Sequence, residues 1–257
     1  MRVPRYAVCT VALAASLAGC TLLPRTTPSR ESPTPSPNVP VSVRWVIDGD
    51  TLDVVGPSGR LRLRLVNVNA PEVGRDGAPG ECLAAEARDW VRARLPVGTS
   101  VEIWTYGFDR YGRTLADVRS AGASLSVELA RAGYAAPLLV RGLDVVLEDV
   151  QAATREASVA AVGVHSAKVA CTVAGRAAVL NAQAAALPAT VTPASKAAAL
   201  AQRESLVASI AAIRTELATG PAPAGVAALT SQELDAVLDS LDAAEASLKT
   251  RSAAWPG

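Results

Sequence analysis

With 257 residues the chain is long enough for one full domain and a substantial appendage. Half of it is hydrophobic but only 4% aromatic, and alanine crowds the last third, so one average composition describes neither half. Lys and Arg number 25 against 24 Asp and Glu. This excludes a general polyanion binder, and any affinity for nucleic acid has to come from local charge placement.

The N-terminus reads as a targeting segment over residues 1–19. Arg2 and Arg5 precede an apolar run from residue 7 to 19 that is too short to span a bilayer. The run ends in Leu17-Ala18-Gly19-Cys20, which resembles the bacterial lipobox, in which the peptide is cut before a cysteine that then carries lipid. On this reading Cys20 anchors the protein to the outer, extracytoplasmic face of a membrane. An ordinary secretory signal with a chance cysteine is the competing reading. Cleavage removes two arginines and no acid, leaving 23 basic against 24 acidic residues. Residues 20–40 are rich in Pro, Ser and Thr and read as an extended spacer without a core. Once Cys9 leaves with the leader and Cys20 carries lipid, Cys82 and Cys171 remain. A disulfide between them would close a loop of about 90 residues, worth about 4 to 5 kcal/mol in the chain-entropy model; two unrelated buried thiols are the alternative.

Order is expected from about residue 41. Val41, Val43, Trp45 and Ile47 alternate with other residues and run into Asp48-Gly49-Asp50, so a strand meets a tight turn. Residues 51–55 form a second strand, Gly56-Pro57-Ser58-Gly59 a turn, and residues 60–65 a third strand with arginines alternating against leucines. Pro71 breaks that strand, and a Gly/Pro-bearing loop over 73–80 leads to an amphipathic helix over 82–95. Strands follow at 101–106 and 114–118, joined by Asp109-Arg110-Tyr111-Gly112-Arg113, with helices near 125–132 and 143–159. Five short strands with interspersed helices fit a small, partly open barrel. Beyond Cys171 the chain changes in kind. Leu206, Ile210, Ile213 and Leu217, and again Leu234, Leu238, Leu241 and Leu248, follow heptad-like spacing, and Thr230-Ser231-Gln232-Glu233 is a capping-box start. This predicts an antiparallel helical hairpin, with a short helix over 176–187 beside it. The heptads leave self-association or an unknown protein partner open.

Four stretches, in order, resemble the staphylococcal-nuclease (thermonuclease) family: VIDGDT at 46–51, RLVNVNAPE at 64–72, DRYGR at 109–113 and ELARAGYA at 128–135. The resemblance covers about residues 41–165. It implies an α+β fold, a five-stranded OB-fold-like β-barrel with helices over 41–171, followed here by the helical region at 172–257. It also implies a Ca²⁺-dependent hydrolase cutting phosphodiester bonds of DNA and RNA with low sequence specificity. By position, Asp50, Asn69 and the backbone carbonyl of Ala70 fall on the metal ligands, and Asp48 lies just outside them. Glu72 falls on the candidate general base, Arg64 and Arg113 on the two phosphate-gripping arginines, and Tyr111 remains a candidate base-stacking platform. This division of labour suits an anionic phosphodiester, whose developing charge is met by a hard cation on oxygen ligands and by planar guanidinium forks.

The chain departs from the family in three places. Asn69 stands where the family most often has Asp, which removes one negative charge and implies weaker metal binding. Leu139 falls near the place of a stacking tyrosine, and the lysine-rich insertion before the DRYGR-type loop is missing. His165 is the only histidine, so histidine or zinc chemistry lacks material, and it is expected on a surface or loop. A binding module of the OB type that does not cut is the runner-up, and a lipoprotein in which the helical hairpin carries the interaction is a third class.

Overall fold

The structure is a computed structural model that describes residues 39–219 and 222–255. The expected leader, the expected lipid attachment at Cys20 and residues 21–38 lie outside the described residues. Val39 and Pro40, expected in the spacer, already belong to the first strand.

The fold is α+β. Strands β1 (Val39–Val46), β2 (Thr51–Gly56) and β3 (Gly59–Leu65) form an antiparallel meander, and β5 (Ser100–Phe108) and β6 (Thr114–Ser120) flank β1 on its other side. Parallel pairing of β3 with β6, Leu63 opposite Thr114 and Arg64 opposite Leu115, closes the five strands into a barrel. Alternation dictates what lies inside: Val43, Val54, Leu63, Leu65, Ile103 and Val118 are buried to 2% exposure or less. The alternation breaks once. Pairing of β1 with β2 shifts between Val43 and Trp45, a bulge that leaves Arg44 and Trp45 both exposed.

Helix α1 (Ala84–Arg94) packs Val91 against the barrel core, and α2 (Leu125–Arg131) and α3 (Leu147–Ala160) complete the domain. Short strands β4 (Val68–Asn69) and β8 (Ala136–Pro137) pair beside the barrel, and β7 (Ala123–Ser124) extends β6. Helix α3 starts later than residue 143 because Asn67 claims the segment before it. The Asn67 Nδ2 donates to the Leu143 carbonyl at 2.6 Å, and its Oδ1 accepts from the Val146 amide at 3.0 Å. Asn67 is fully buried with φ 62°, a left-handed conformation that Asn tolerates better than most residues.

The C-terminal region is more than the expected hairpin. Helices α4 (Val173–Ala185), α5 (Pro193–Ala218) and α7 (Ser231–Ser252) share a second core, with Leu180, Ile210 and Leu241 at its centre, and α6 (Ala224–Ala227) lies in the connection. Helix α4 contacts both long helices and is the principal partner of α7. The capping box at Thr230 and Glu233 is present as expected, and a second one, Thr192 with Ser195, starts α5. Cys82 and Cys171 are joined by a disulfide, Cα–Cα 5.5 Å, that ties the start of α1 to the chain before α4.

Of the surface or loop place expected for His165, the loop is found and the exposure is not. It sits in a 3₁₀ turn (Gly163–His165), 5% exposed, with Nδ1 2.9 Å from Glu233 Oε1. The turn is pressed against Gly133, where a Cβ on Gly163 would lie 2.1 Å from the Gly133 carbonyl oxygen, and α7 begins over the ring. Tertiary packing, not the polarity of imidazole, therefore decides its burial. Among the described residues no helix is long and apolar enough to cross a membrane.

Candidate active site

The turn between β1 and β2 brings Asp48 and Asp50 beneath the barrel surface, 2% and 1% exposed. Gly49 between them is required by close approach: a Cβ there would stand 2.7 Å from that of Ala70 and 3.2 Å from that of Ala87. Asp50 is held from both sides. Its Oδ1 accepts from the Thr51 hydroxyl at 3.0 Å, and its Oδ2 accepts from the Ala70 amide at 2.8 Å. The same Oδ2 is 3.0 Å from Arg64 Nη2.

Arg64 is the one buried member of the arginine row on β3, 6% exposed. Its Nη1 donates to the Leu65 carbonyl at 2.8 Å and its Nη2 to Asn69 Oδ1 at 3.3 Å. Closure of the barrel places Arg113, just before β6, against the same network: its Nη1 donates to Thr51 Oγ1 at 3.2 Å. Its Nε donates to Asp109 Oδ2 at 2.6 Å, while Asp109 Oδ1 accepts from the Tyr111 and Arg113 amides. Asp109 thus scaffolds the loop and orients Arg113 at once. Burial works to raise the Asp109 pKa, but the bonds from Arg113 outweigh it and hold the carboxyl below its ordinary range. Tyr111 is 68% exposed, with the guanidiniums of Arg110 and Arg113 over its ring at 4.7 and 5.5 Å.

Glu72 stands half exposed at the mouth of the loop. Its amide donates to Glu81 Oε2 at 3.2 Å, the Glu81 amide donates to its carbonyl at 2.9 Å, and Arg75 lies 3.7 Å from its carboxylate. Burial and then the Asp50 charge raise its pKa, against the pull of Arg75, Arg64 and Arg113. Asp48, bonded by Arg75 at 3.3 Å, is pushed up to about 7 by burial and by the charges of Asp50 and Glu72. Three carboxylates, Asp48, Asp50 and Glu72, therefore act on one another across the site.

The oxygen groups around Asp50 suit a cation. Asp50 Oδ1 and Asn69 Oδ1 each accept a single hydrogen bond and keep acceptor capacity, and the Ala70 backbone adjoins Asp50. Asp50, Asn69 and the Ala70 carbonyl thus fit a hard, oxygen-seeking divalent ion, with Asp48 adding charge from beside them. Among the described residues no group of three or more His, Cys, Asp or Glu side chains forms a metal site by itself. The fit rests on the mixed set, in which an amide and a carbonyl join one carboxylate.

Arg64 and Arg113 open onto a cleft of about 560 Å³ lined also by Arg110, Tyr111, Leu138, Val140 and Arg141. Leu138 and Leu139 stand about half exposed beside it, so the place near which a stacking tyrosine is expected holds an aliphatic side chain. Three contributors escaped sequence reasoning. Arg75 lies on an aperiodic loop, and Arg141, held by a bond from its Nη1 to the Phe108 carbonyl at 2.9 Å, sits in a turn with no motif of its own. Asn67 did carry a signal, a lone Asn between valines at a strand end, which marks a left-handed turn.

Residues 62–165 match the family described as staphylococcal nuclease homologue. Over 91 residues, 35% of this chain, the sequence is 34% identical to an uncharacterized endonuclease of Escherichia coli, with the same figures for its counterpart in Escherichia coli O157:H7. It is also 34% identical over 91 residues to a thermonuclease of Staphylococcus hyicus. The chain spans about half the length of these curated relatives, 55% of the first two and 54% of the third. The family match holds Arg64, Asn69, Glu72 and Arg113; Asp48 and Asp50 precede it and reach the site through the barrel.

Proposed function

We propose, from the premise that this chain carries a staphylococcal-nuclease-like domain, that it is a Ca²⁺-dependent nuclease hydrolysing DNA and RNA with little sequence preference. The observation that carries the reading is the shared network in which buried Asp50 bonds Arg64 and, through Thr51, reaches Arg113, at the wall of an arginine-lined cleft. The relatives called endonuclease and thermonuclease support it.

The chain's own groups divide the work. Arg64 and Arg113 present N–H donors to the phosphate and follow the charge that develops on its oxygens. Both are fixed by carboxylates, Asp50 and Asp109, so little reorganisation is needed when substrate arrives. Glu72, whose pKa burial and the Asp50 charge raise, accepts a proton from the attacking water or orients that water, and Arg75 keeps its carboxylate in place. Asp50, Asn69 and the Ala70 carbonyl would hold a divalent ion, which would polarise a phosphoryl oxygen when bound. Tyr111 offers an exposed ring to a base.

We further propose that the protein acts outside the cytoplasm, anchored by lipid at Cys20. The lipobox-like stretch supports this, as does the Cys82–Cys171 disulfide, which suits an oxidising compartment. The test is a Ca²⁺ titration of cleavage of denatured DNA by the full chain and by Asn69→Asp, with Arg64→Ala and Arg113→Ala alongside. Activity should need Ca²⁺ and stop with chelator, Asn69→Asp should reach half-maximal rate at lower Ca²⁺, and each arginine variant should lose about a hundred-fold or more. Metal-independent cleavage, or full activity without either arginine, would sink the assignment.

A further inference from the structure

Arg64 is the buried end of a longer row. Arg60, Arg62 and Arg64 are two residues apart on β3, so their side chains leave the barrel on one face at steps of about 7 Å, the order of the spacing between successive phosphates in an extended strand. Asp53, opposite Arg62 on β2 and 1% exposed, bonds both outer guanidiniums: Arg62 Nε at 2.9 Å, Arg62 Nη2 at 3.2 Å, and Arg60 Nη2. The arginines are therefore posted in fixed positions, while their side chains stay 58% and 52% exposed. Arg62 is also close enough to Asp48 to feel its charge, so the row runs without a gap into the active site.

Trp45 lies on the same face. It pairs directly with Asp53, which pairs with Arg62, and the β1 bulge turns both Arg44 and Trp45 outward. The Trp45 ring is 53% exposed, and the Arg92 guanidinium, anchored to the Val46 carbonyl at 3.0 Å, lies 4.7 Å over it. An exposed tryptophan backed by a guanidinium is costly surface with no packing role. Around it stand Arg44, Arg60, Arg62 and Arg92, with Asp53 paired to Arg60 and Arg62, Asp89 paired to Arg92 and Asp48 acting on Arg62, four cations against three carboxylates on a chain of almost balanced charge.

We propose that the Arg60–Arg62 row and Trp45 form a subsite for single-stranded nucleic acid, in which the arginines track the phosphates flanking the one held by Arg64 and Trp45 stacks a base. The assignment rests on the nuclease reading and extends it along the strand. It explains why arginines that a solvated strand would leave mobile are locked to a buried aspartate, and why the bulge spends an aromatic ring on solvent. The continuity with Arg64 favours a polynucleotide over an anionic membrane surface, which would gain nothing from that line.

The test is binding of a fluorescent single-stranded oligothymidylate by the full chain in chelator, across a salt series, with Ca²⁺-dependent cleavage measured in parallel. Arg60→Gln/Arg62→Gln should weaken binding and lower the salt slope by about 1.4, two contacts at about 0.7 each. Arg60→Lys/Arg62→Lys should restore that slope. Trp45→Ala should weaken binding about ten-fold with the slope unchanged, and Trp45→Phe should recover most of the loss. If the Gln pair loses its fold, the Trp45 variants decide. Wild-type cleavage with unaltered affinity and slope in all variants would overturn the subsite alone; a wild type that neither binds nor cleaves would overturn the nuclease reading beneath it. Trp45-dependent binding to phosphatidylglycerol vesicles with oligonucleotide affinity unchanged would also overturn it.

Discussion

Asn67 is the residue through which the fold holds one wall of the cleft, and replacing it tests that link. Asn67→Ala removes the bonds to the Leu143 carbonyl at 2.6 Å and from the Val146 amide at 3.0 Å; the contact to the Leu138 carbonyl at 3.5 Å adds little. The site is fully buried, so each abandoned backbone group loses about 1 to 3 kcal/mol. Holding alanine at φ 62° adds about 1 kcal/mol. The expected destabilisation is about 3 to 7 kcal/mol, read from urea unfolding at neutral pH. Asn67→Gly loses the bonds without the strain and should recover about 1 kcal/mol of it. Because the released segment carries Leu138, Val140 and Arg141 along the cleft, the Michaelis constant for single-stranded DNA should rise several-fold. The turnover number should fall less, since Asp50, Arg64 and Glu72 keep their partners. A loss below about 1 kcal/mol in both variants would refute the reasoning, for it would mean that residues 138–146 are held by something other than this side chain.

Two further outcomes concern the C-terminal region. Burial works against it, but the bond from His165 and then those from Thr230 bring the Glu233 pKa down to about 2, from an ordinary 4.5. A lowered carboxyl stabilises the fold above its unfolded value and loses that contribution as pH falls through the folded one, here between about 4.5 and 2. Glu233→Gln should therefore cost up to about 3 kcal/mol at pH 7 and nothing near pH 2, as a pair of thermal melts across that range will check. Cys82→Ser/Cys171→Ser opens a loop spanning 89 residues and should cost about 4 to 5 kcal/mol. That is a fall of roughly 10 to 15 °C in melting temperature by calorimetry, and an unchanged melt would show that the helical region is held without the bridge.

Much of the barrel was legible because its signals are local. Alternating valines and leucines, Gly/Pro turns and the capping box at Thr230 each report a preference of a few neighbouring residues. The strands at 51–55 and 101–106 and the start of α7 accordingly appear where expected. What was illegible depends on distant partners. The late start of α3 is decided by Asn67, some 80 residues upstream. The burial of His165 is decided by Glu233 and by Gly133 pressing on Gly163. The heptads of α5 and α7 predicted two helices facing each other with a short helix beside them, yet α4 is the principal partner of α7 and contacts α5 as well, so the core is shared by three helices.

The candidate site divides along the same line. Sequence alone named Asp48, Asp50, Arg64, Asn69, Glu72 and Arg113, since their types and spacings follow a motif in which the turn and the two loops are contiguous pieces. Alternation left Arg60, Arg62 and Arg64 alike on one strand face, and only the spacing from Arg64 to Pro71-Glu72 singled it out. The tertiary structure supplies the physical difference between them. Parallel pairing of β3 with β6 sets Arg64 beside the strand that Arg113 leads into and buries it on Asp50, while Asp53 holds the other two at the surface. Residue types along a strand are fixed by local chemistry. Which of them faces a buried carboxylate is settled only when the barrel closes and its register is chosen.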